Sequence, residues 1–137
     1  MPFITLRDSA LLFYKDWGNK DGPAVFLSHG WPLNSDNWDS QMMFLADHGF
    51  RVVAHDRRGH GRSQQTWERN DVDNWADDIA ELIDHLDLKD VTLVGHSTGG
   101  GDIIRYCTRR ECPACSVYPC NTISSPRYRL FRVGSCS

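Results

Sequence analysis

The sequence lacks any long apolar run. No stretch reaches the roughly 18 apolar residues that a helix needs to cross a bilayer. Charged residues also interrupt the apolar segments near the N-terminus before they reach the length of a secretory signal. These absences speak against a membrane-spanning or secreted protein, so a cytoplasmic location is expected.

A long basic run is missing as well. The chain has 15 lysine and arginine residues against 18 aspartate and glutamate residues, which gives a formal net charge of −3. This balance provides no electrostatic reason to expect nucleic acid or an anionic membrane surface as a partner. A small, roughly neutral molecule is therefore the favoured ligand.

Cysteine is missing from most of the chain, and tryptophan is missing after Trp75. The cysteines lie at positions 107, 112, 115, 120 and 136. The composition thus changes near residue 110, and we expect a domain over residues 1–110 followed by an irregular or disordered cysteine-rich tail over residues 111–137. Four tail thiols leave open a zinc or redox site, but a single Cys-x-x-Cys is a weak signal, and no metal is expected.

The first 110 residues alternate between short apolar runs and segments with helical periodicity. The runs predict strands over residues 3–6, 11–16, 24–28, 50–55 and 91–94. The periodic segments predict helices over residues 35–48 and 73–86, and a third from 97 through 107. Strands that alternate with helices form parallel sheets, so we predict an α/β fold in which an antiparallel hairpin precedes parallel strands with crossover helices.

One pentapeptide carries a chemical signal. Gly95-His96-Ser97-Thr98-Gly99 has the pattern Gly-x-Ser-x-Gly between a predicted strand and a predicted helix, which is the context of a nucleophile elbow. Side chains two residues before or after the serine would collide with the neighbouring strand and helix, which explains the glycines. The turn places the Ser97 hydroxyl at a helix N-terminus, where developing negative charge is favoured. The alternative is a glycine-rich turn that binds a phosphate or nothing.

A nucleophilic serine also needs main-chain donors for the oxyanion. The N–H of Thr98 is the first candidate because it follows the nucleophile directly. The loop over residues 29–32 follows the preceding parallel strand, and the N–H of Trp31 in this loop is expected to be free to donate. The alternative is an ordinary tight loop with a packed tryptophan. His29 and His60 are expected to have structural roles in their loops.

Three segments resemble the α/β-hydrolase family, specifically its cofactor-free haloperoxidase (non-haem chloroperoxidase), perhydrolase and arylesterase branch. They span residues 29–33, 56–63 and 95–102, in matching order and spacing over residues 1 to about 110. The resemblance implies hydrolysis of small esters through an acyl-serine, transfer of the acyl group to hydrogen peroxide as a side activity, and no cofactor. It also implies Ser97 as nucleophile, with Thr98 and Trp31 as oxyanion donors.

No histidine follows Ser97 in this chain. The family's triad runs serine, aspartate and histidine along the sequence, whereas all six histidines here precede Ser97. Asp102 and Glu111 are the only acids after it, and Asp102 matches a position of the family motif other than the triad acid. His96 is expected to point away from the Ser97 hydroxyl. We therefore expect this chain to be weakly active or inactive alone.

The alternative is a non-catalytic truncated product or a partner-binding remnant. By analogy with the family, segments after residue 110 cover one side of the strand over residues 91–94. Without them an apolar sheet edge is left open. On this interpretation the chain associates with itself or with a partner through that edge.

Overall fold

A mixed sheet forms the centre of the molecule. A computed structural model describes residues 2–109 and the strand at 116–120. This part of the chain contains the strands β1 (Phe3–Thr5), β2 (Leu11–Gly18), β3 (Ala24–Ser28), β4 (Arg51–His55), β5 (Thr92–His96) and β6 (Ser116–Cys120), in the spatial order β1-β2-β4-β3-β5-β6. β2 is antiparallel to β1 and β4, whereas β3, β4, β5 and β6 run parallel to one another. The predicted hairpin followed by parallel strands is confirmed.

Helices connect the strands of the sheet. They are a 3-10 turn (Ser35–Trp38) that continues into α1 (Asp39–Asp47), then α2 (Val72–His85) and α3 (Thr98–Arg109). α2 begins after Asp71, whose carboxylate accepts a hydrogen bond from the N–H of Asn74. The helix predicted over residues 35–48 is found as this 3-10 turn followed by α1. None of the helices described is long and apolar enough to cross a membrane.

Two apolar clusters cover the two faces of the sheet. Alternate residues of a strand point to opposite faces, so Phe26 of β3 packs in the cluster that includes α2 and α3, whereas Val25 packs in the cluster that includes α1. All five residues of β3 are buried, as is typical of a central parallel strand. This packing brings the carboxyl ends of β3, β4 and β5 side by side, with Ser28 opposite both His55 and Gly95.

β6 departs from two expectations at residues 116–120. An irregular or disordered tail was expected over residues 111–137, and an open edge was expected beside β5. Instead, β6 lies parallel to β5 and covers that edge. Val117 and Tyr118 are strand-forming types, and Pro119 is tolerated in a strand that ends the described sheet order. The rest of the tail lies outside the described residues, including the cysteines at 112, 115 and 136.

Candidate active site

Ser97 lies in a sharp turn between β5 and α3. Its φ angle is +54°, in the left-handed region that non-glycine residues rarely adopt. β5 ends at His96 and the 12-residue helix α3 begins at Thr98. The exposed Ser97 therefore sits where the first main-chain N–H groups of a helix have no intrahelical partner. The strand-turn-helix context expected for the pentapeptide is observed.

Two glycines allow the backbone to turn this tightly. A Cβ atom on Gly95 would lie 2.5 Å from the Cα of Gly100 in α3. A Cβ atom on Gly99 would lie 2.3 Å from the carbonyl oxygen of Ser28 and 2.6 Å from that of His29. These are main-chain atoms that cannot move aside cheaply. The expected collisions with the neighbouring helix and strand are therefore present at both positions.

The N–H of Trp31 has a partner within the protein. It donates to Oγ1 of Thr98, with 3.0 Å between nitrogen and oxygen. The expectation that this N–H is free is therefore wrong, because the loop after β3 lies directly against the start of α3. Trp31 is 69% exposed, which also argues against a tryptophan packed in an ordinary loop.

Arg57 joins three parts of the site, and no role was predicted for it. Its side chain is 1% exposed and follows β4. Nε donates to Oδ2 of Asp102 at 2.8 Å, Nη1 donates to Oγ1 of Thr98 at 3.1 Å, and Nη2 donates to the carbonyl oxygen of His29 at 2.9 Å. The guanidinium thus ties the loop after β3 to the first turns of α3. The sequence did contain one signal for such a role, because Arg57 lies in the segment 56–63 that resembles the family.

Asp102 is committed to Arg57. Its Oδ2 lies 2.7 Å from Nη2 of that arginine, while Oδ1 finds no hydrogen-bond partner among the described residues. Burial raises the pKa of Asp102 to about 6, and the guanidinium opposes this rise. The carboxylate therefore anchors the arginine.

His96 lies beside the loop after β3. A Cβ atom on Gly30 would lie 2.8 Å from Nδ1 of His96, so the absence of a side chain at Gly30 makes room for the imidazole. The sequence motif thus places this ring against the loop that carries Trp31.

His29 is buried at the start of the same loop. Its Nε2 accepts a hydrogen bond from the N–H of Arg57, and its Nδ1 donates to the carbonyl oxygen of Gly30, both at 2.8 Å. One ring nitrogen accepts while the other donates, so this arrangement requires the neutral imidazole. A structural role for His29 fits these contacts.

Acid should protonate His29 only well below neutral pH. Burial lowers the pKa of His29 to about 4; Arg57 and His60 add to this shift, and the hydrogen bond to Gly30 opposes it. Because protons then bind the unfolded chain more readily, this group's contribution to stability is lost as the pH falls from about 6.5 to about 4, by up to about 3 kcal/mol. The contribution of Asp102 to stability has the opposite dependence on pH. Because its pKa is raised, this contribution increases as the pH falls from about 6 to about 4.

An NMR titration of the His29 ring measures its pKa directly, separately from the contribution of Asp102. A midpoint near pH 4 is expected. A midpoint near the ordinary value of about 6.5 would contradict the buried, neutral imidazole.

Histidines cluster below the loops. The ring centroid of His29 lies 6.1 Å from that of His55 and 5.3 Å from that of His60. Within residues 2–109 and the strand that follows, no group of three or more histidine, cysteine, aspartate or glutamate residues is arranged to hold a metal ion.

Comparison with known proteins identifies the family. The family model for the alpha/beta hydrolase fold matches residues 23–111. The chain is 53% identical over 109 residues to a bifunctional esterase/perhydrolase from Acinetobacter calcoaceticus, covering 80% of this chain and 40% of the relative. It is 55% identical over 109 residues to a non-heme haloperoxidase from Rhodococcus erythropolis, covering 80% of this chain and 39% of the relative. The chain thus spans about 40% of the length of these relatives.

A solved structure shows the same relationship. The chain superimposes on a bromoperoxidase from Bacillus anthracis with a TM-score of 0.76 and 39% sequence identity, covering 80% of this chain and 40% of that one. The resemblance to the haloperoxidase and perhydrolase branch is confirmed. The family match over residues 23–111 includes the loop after β3, Arg57 and the turn at Ser97. The chain therefore belongs to the α/β-hydrolase fold family.

Proposed function

We propose that Ser97 is the nucleophile of a serine hydrolase that acts on small esters or carboxylic acids. The observation that carries this proposal is the left-handed backbone of an exposed serine between β5 and α3. A strained, non-glycine residue at such a turn is typical of a functional position. The esterase/perhydrolase relative supports the choice of substrate class.

In the proposed reaction, Oγ of Ser97 attacks the carbonyl carbon of the ester while its proton passes to a base. The carbonyl oxygen becomes an oxyanion, for which the N–H groups of Thr98 and Trp31 are the proposed donors. The bond to the leaving alkoxide then breaks and an acyl-serine remains. Water attacks this intermediate to give a carboxylic acid, or hydrogen peroxide attacks it to give a peracid.

The N–H of Trp31 must change its acceptor during this reaction. In the free protein it donates to the hydroxyl oxygen of Thr98. An oxyanion is a stronger acceptor than a neutral hydroxyl, because hydrogen bonds to a charged group are roughly twice as strong. The developing charge therefore offsets the loss of the contact with Thr98.

The proton of Ser97 has no histidine acceptor later in this chain, because all six histidines precede it. Without a positioned base, only the oxyanion donors and substrate binding accelerate the reaction. We therefore propose that the 137-residue chain is weakly active or inactive by itself.

Added imidazole tests this proposal by supplying the base. In a reaction with a fluorophosphonate, the Ser97 Oγ–P bond forms, the P–F bond breaks and imidazole takes the proton. We expect slow phosphonylation of the chain alone and a rate about tenfold higher with imidazole, which is less than a positioned base provides. Ser97→Ala at the same imidazole concentration supplies the background rate. Equal rates for the two proteins would contradict the proposed nucleophile.

A further inference from the structure

We propose that the hydroxyl of Thr98, held in place by Arg57, is a positioning group that sets the direction of the Trp31 N–H. This inference rests on the proposed function of Ser97. It assigns to the Thr98 side chain a role separate from that of its main-chain N–H, and it gives Arg57 a role in the reaction through Thr98.

The first support is the number of donors at the Thr98 hydroxyl. Its oxygen accepts from the N–H of Trp31 at 3.0 Å and from Nη1 of Arg57 at 3.1 Å. A hydroxyl oxygen has two lone pairs, so both acceptor positions are used. The side chain cannot rotate about its Cα–Cβ bond without losing both hydrogen bonds.

The second support is the rigidity of Arg57. Asp102 and the carbonyl oxygen of His29 hold its Nε and Nη2 atoms, and its guanidinium carbon lies 4.7 Å from the ring centroid of Trp75. A planar guanidinium fixes several acceptors at once, which a lysine ammonium cannot do with the same geometry. The position of the Thr98 oxygen is therefore defined by buried groups although Thr98 itself is exposed.

The consequence concerns the two proposed oxyanion donors. The Thr98 hydroxyl links the loop that carries the N–H of Trp31 to the residue that carries the other N–H. The contact holds the Trp31 N–H beside the start of α3, so that this N–H has only to turn from the Thr98 oxygen to the oxyanion as charge develops. Small displacements of such donors reduce rates strongly. Loss of this oxygen leaves Arg57 holding His29 and Asp102, but it removes the acceptor that fixes the Trp31 N–H beside α3.

Substitutions at Thr98 test this role. Thr98→Val keeps the shape but removes the acceptor, and we expect phosphonylation of Ser97 in the presence of imidazole to slow about tenfold. Thr98→Ser restores the hydroxyl and should restore most of the rate. Thr108→Val is the matched control, because Thr108 is exposed on the same helix and its hydroxyl donates only to the carbonyl oxygen of Arg105 among the contacts described. It should react at the original rate.

The amide signal of Trp31 provides a readout that does not depend on chemistry at Ser97. Thr98→Val should shift the NMR resonance of the Trp31 N–H and speed its hydrogen exchange, whereas Thr98→Ser should do neither. If Thr98→Val and the original chain are phosphonylated equally, the positioning role is overturned while the proposed nucleophile stands. If Ser97 in the original chain does not react, the proposed function fails instead. An unchanged Trp31 signal in Thr98→Val overturns the hydrogen-bonded arrangement itself.

Discussion

Replacing Gly99 with alanine is expected to lower the free energy of unfolding by about 3 kcal/mol, because the new methyl group meets main-chain atoms on a packed strand. The Cβ atom would lie 2.3 Å from the carbonyl oxygen of Ser28. Either α3 or the end of β3 must shift, and that shift changes the backbone at Ser97. Urea denaturation measures the loss of stability. Reaction with a fluorophosphonate measures the effect at the turn, where we expect the reactivity of Ser97 to disappear.

Gly101→Ala is the matched control on the same helix. A Cβ atom on Gly101 meets nothing within 4 Å. Alanine is a better helix former than glycine, so this variant should gain up to about 1 kcal/mol. If Gly99→Ala proved as stable as the original chain, the close approach of α3 to β3 would be contradicted.

Replacing Asp78 with alanine is expected to cost about 3–5 kcal/mol of stability, because it leaves a buried arginine short of its partner. Both oxygens of Asp78 accept hydrogen bonds from Arg58, at 2.9 Å each, and Oδ1 also accepts from Arg7 at 3.1 Å. The side chains of Asp78 and Arg58 are fully buried, and Arg58 also pairs with Asp8. This network fastens α2 to the loop after β4 and to the turn between β1 and β2.

Asp77→Ala separates the effect of burial from the effect of charge. Asp77 is the neighbouring residue on α2, but its side chain is 38% exposed and its ion pairs with Arg7 and Arg109 lie at the surface. Exposed pairs of this kind contribute at most about 1 kcal/mol. Denaturation in urea should therefore distinguish the two variants clearly. Similar losses for both would show that the Arg58 network does not carry the expected energy.

Local patterns were sufficient to predict most of the fold. The apolar run of β3 and the helical period of α2 depend on residues within one element, and both elements are found within a residue or two of their predicted bounds. The constraint on Gly95 is also local in origin, because a Cβ atom there would meet Gly99 and Gly100 of the same strand-turn-helix. The constraint on Gly99 comes instead from Ser28 and His29, which belong to a distant segment of the chain. β6 was missed because Pro119 interrupts its strand-forming residues.

Contacts between distant segments could not be predicted in the same way. The N–H of Trp31 and the hydroxyl of Thr98 are separated by 67 residues, and Arg57 reaches Thr98 across 41 residues. No periodicity or motif encodes such a contact in a single sequence. The unexpected partner of Trp31 and the role of Arg57 therefore emerged only from the three-dimensional arrangement.

The position of a fluorophosphonate adduct is the most direct test of the central claim that the fold makes Ser97 a nucleophile. Peptide mapping by mass spectrometry, after reaction in the presence of imidazole, locates the modified residue in the folded chain and in the chain unfolded by urea. We predict an adduct at Ser97 in preference to every other serine, formed in the folded chain and absent after unfolding. An adduct spread over several serines, or formed equally fast in the unfolded chain, would contradict the claim.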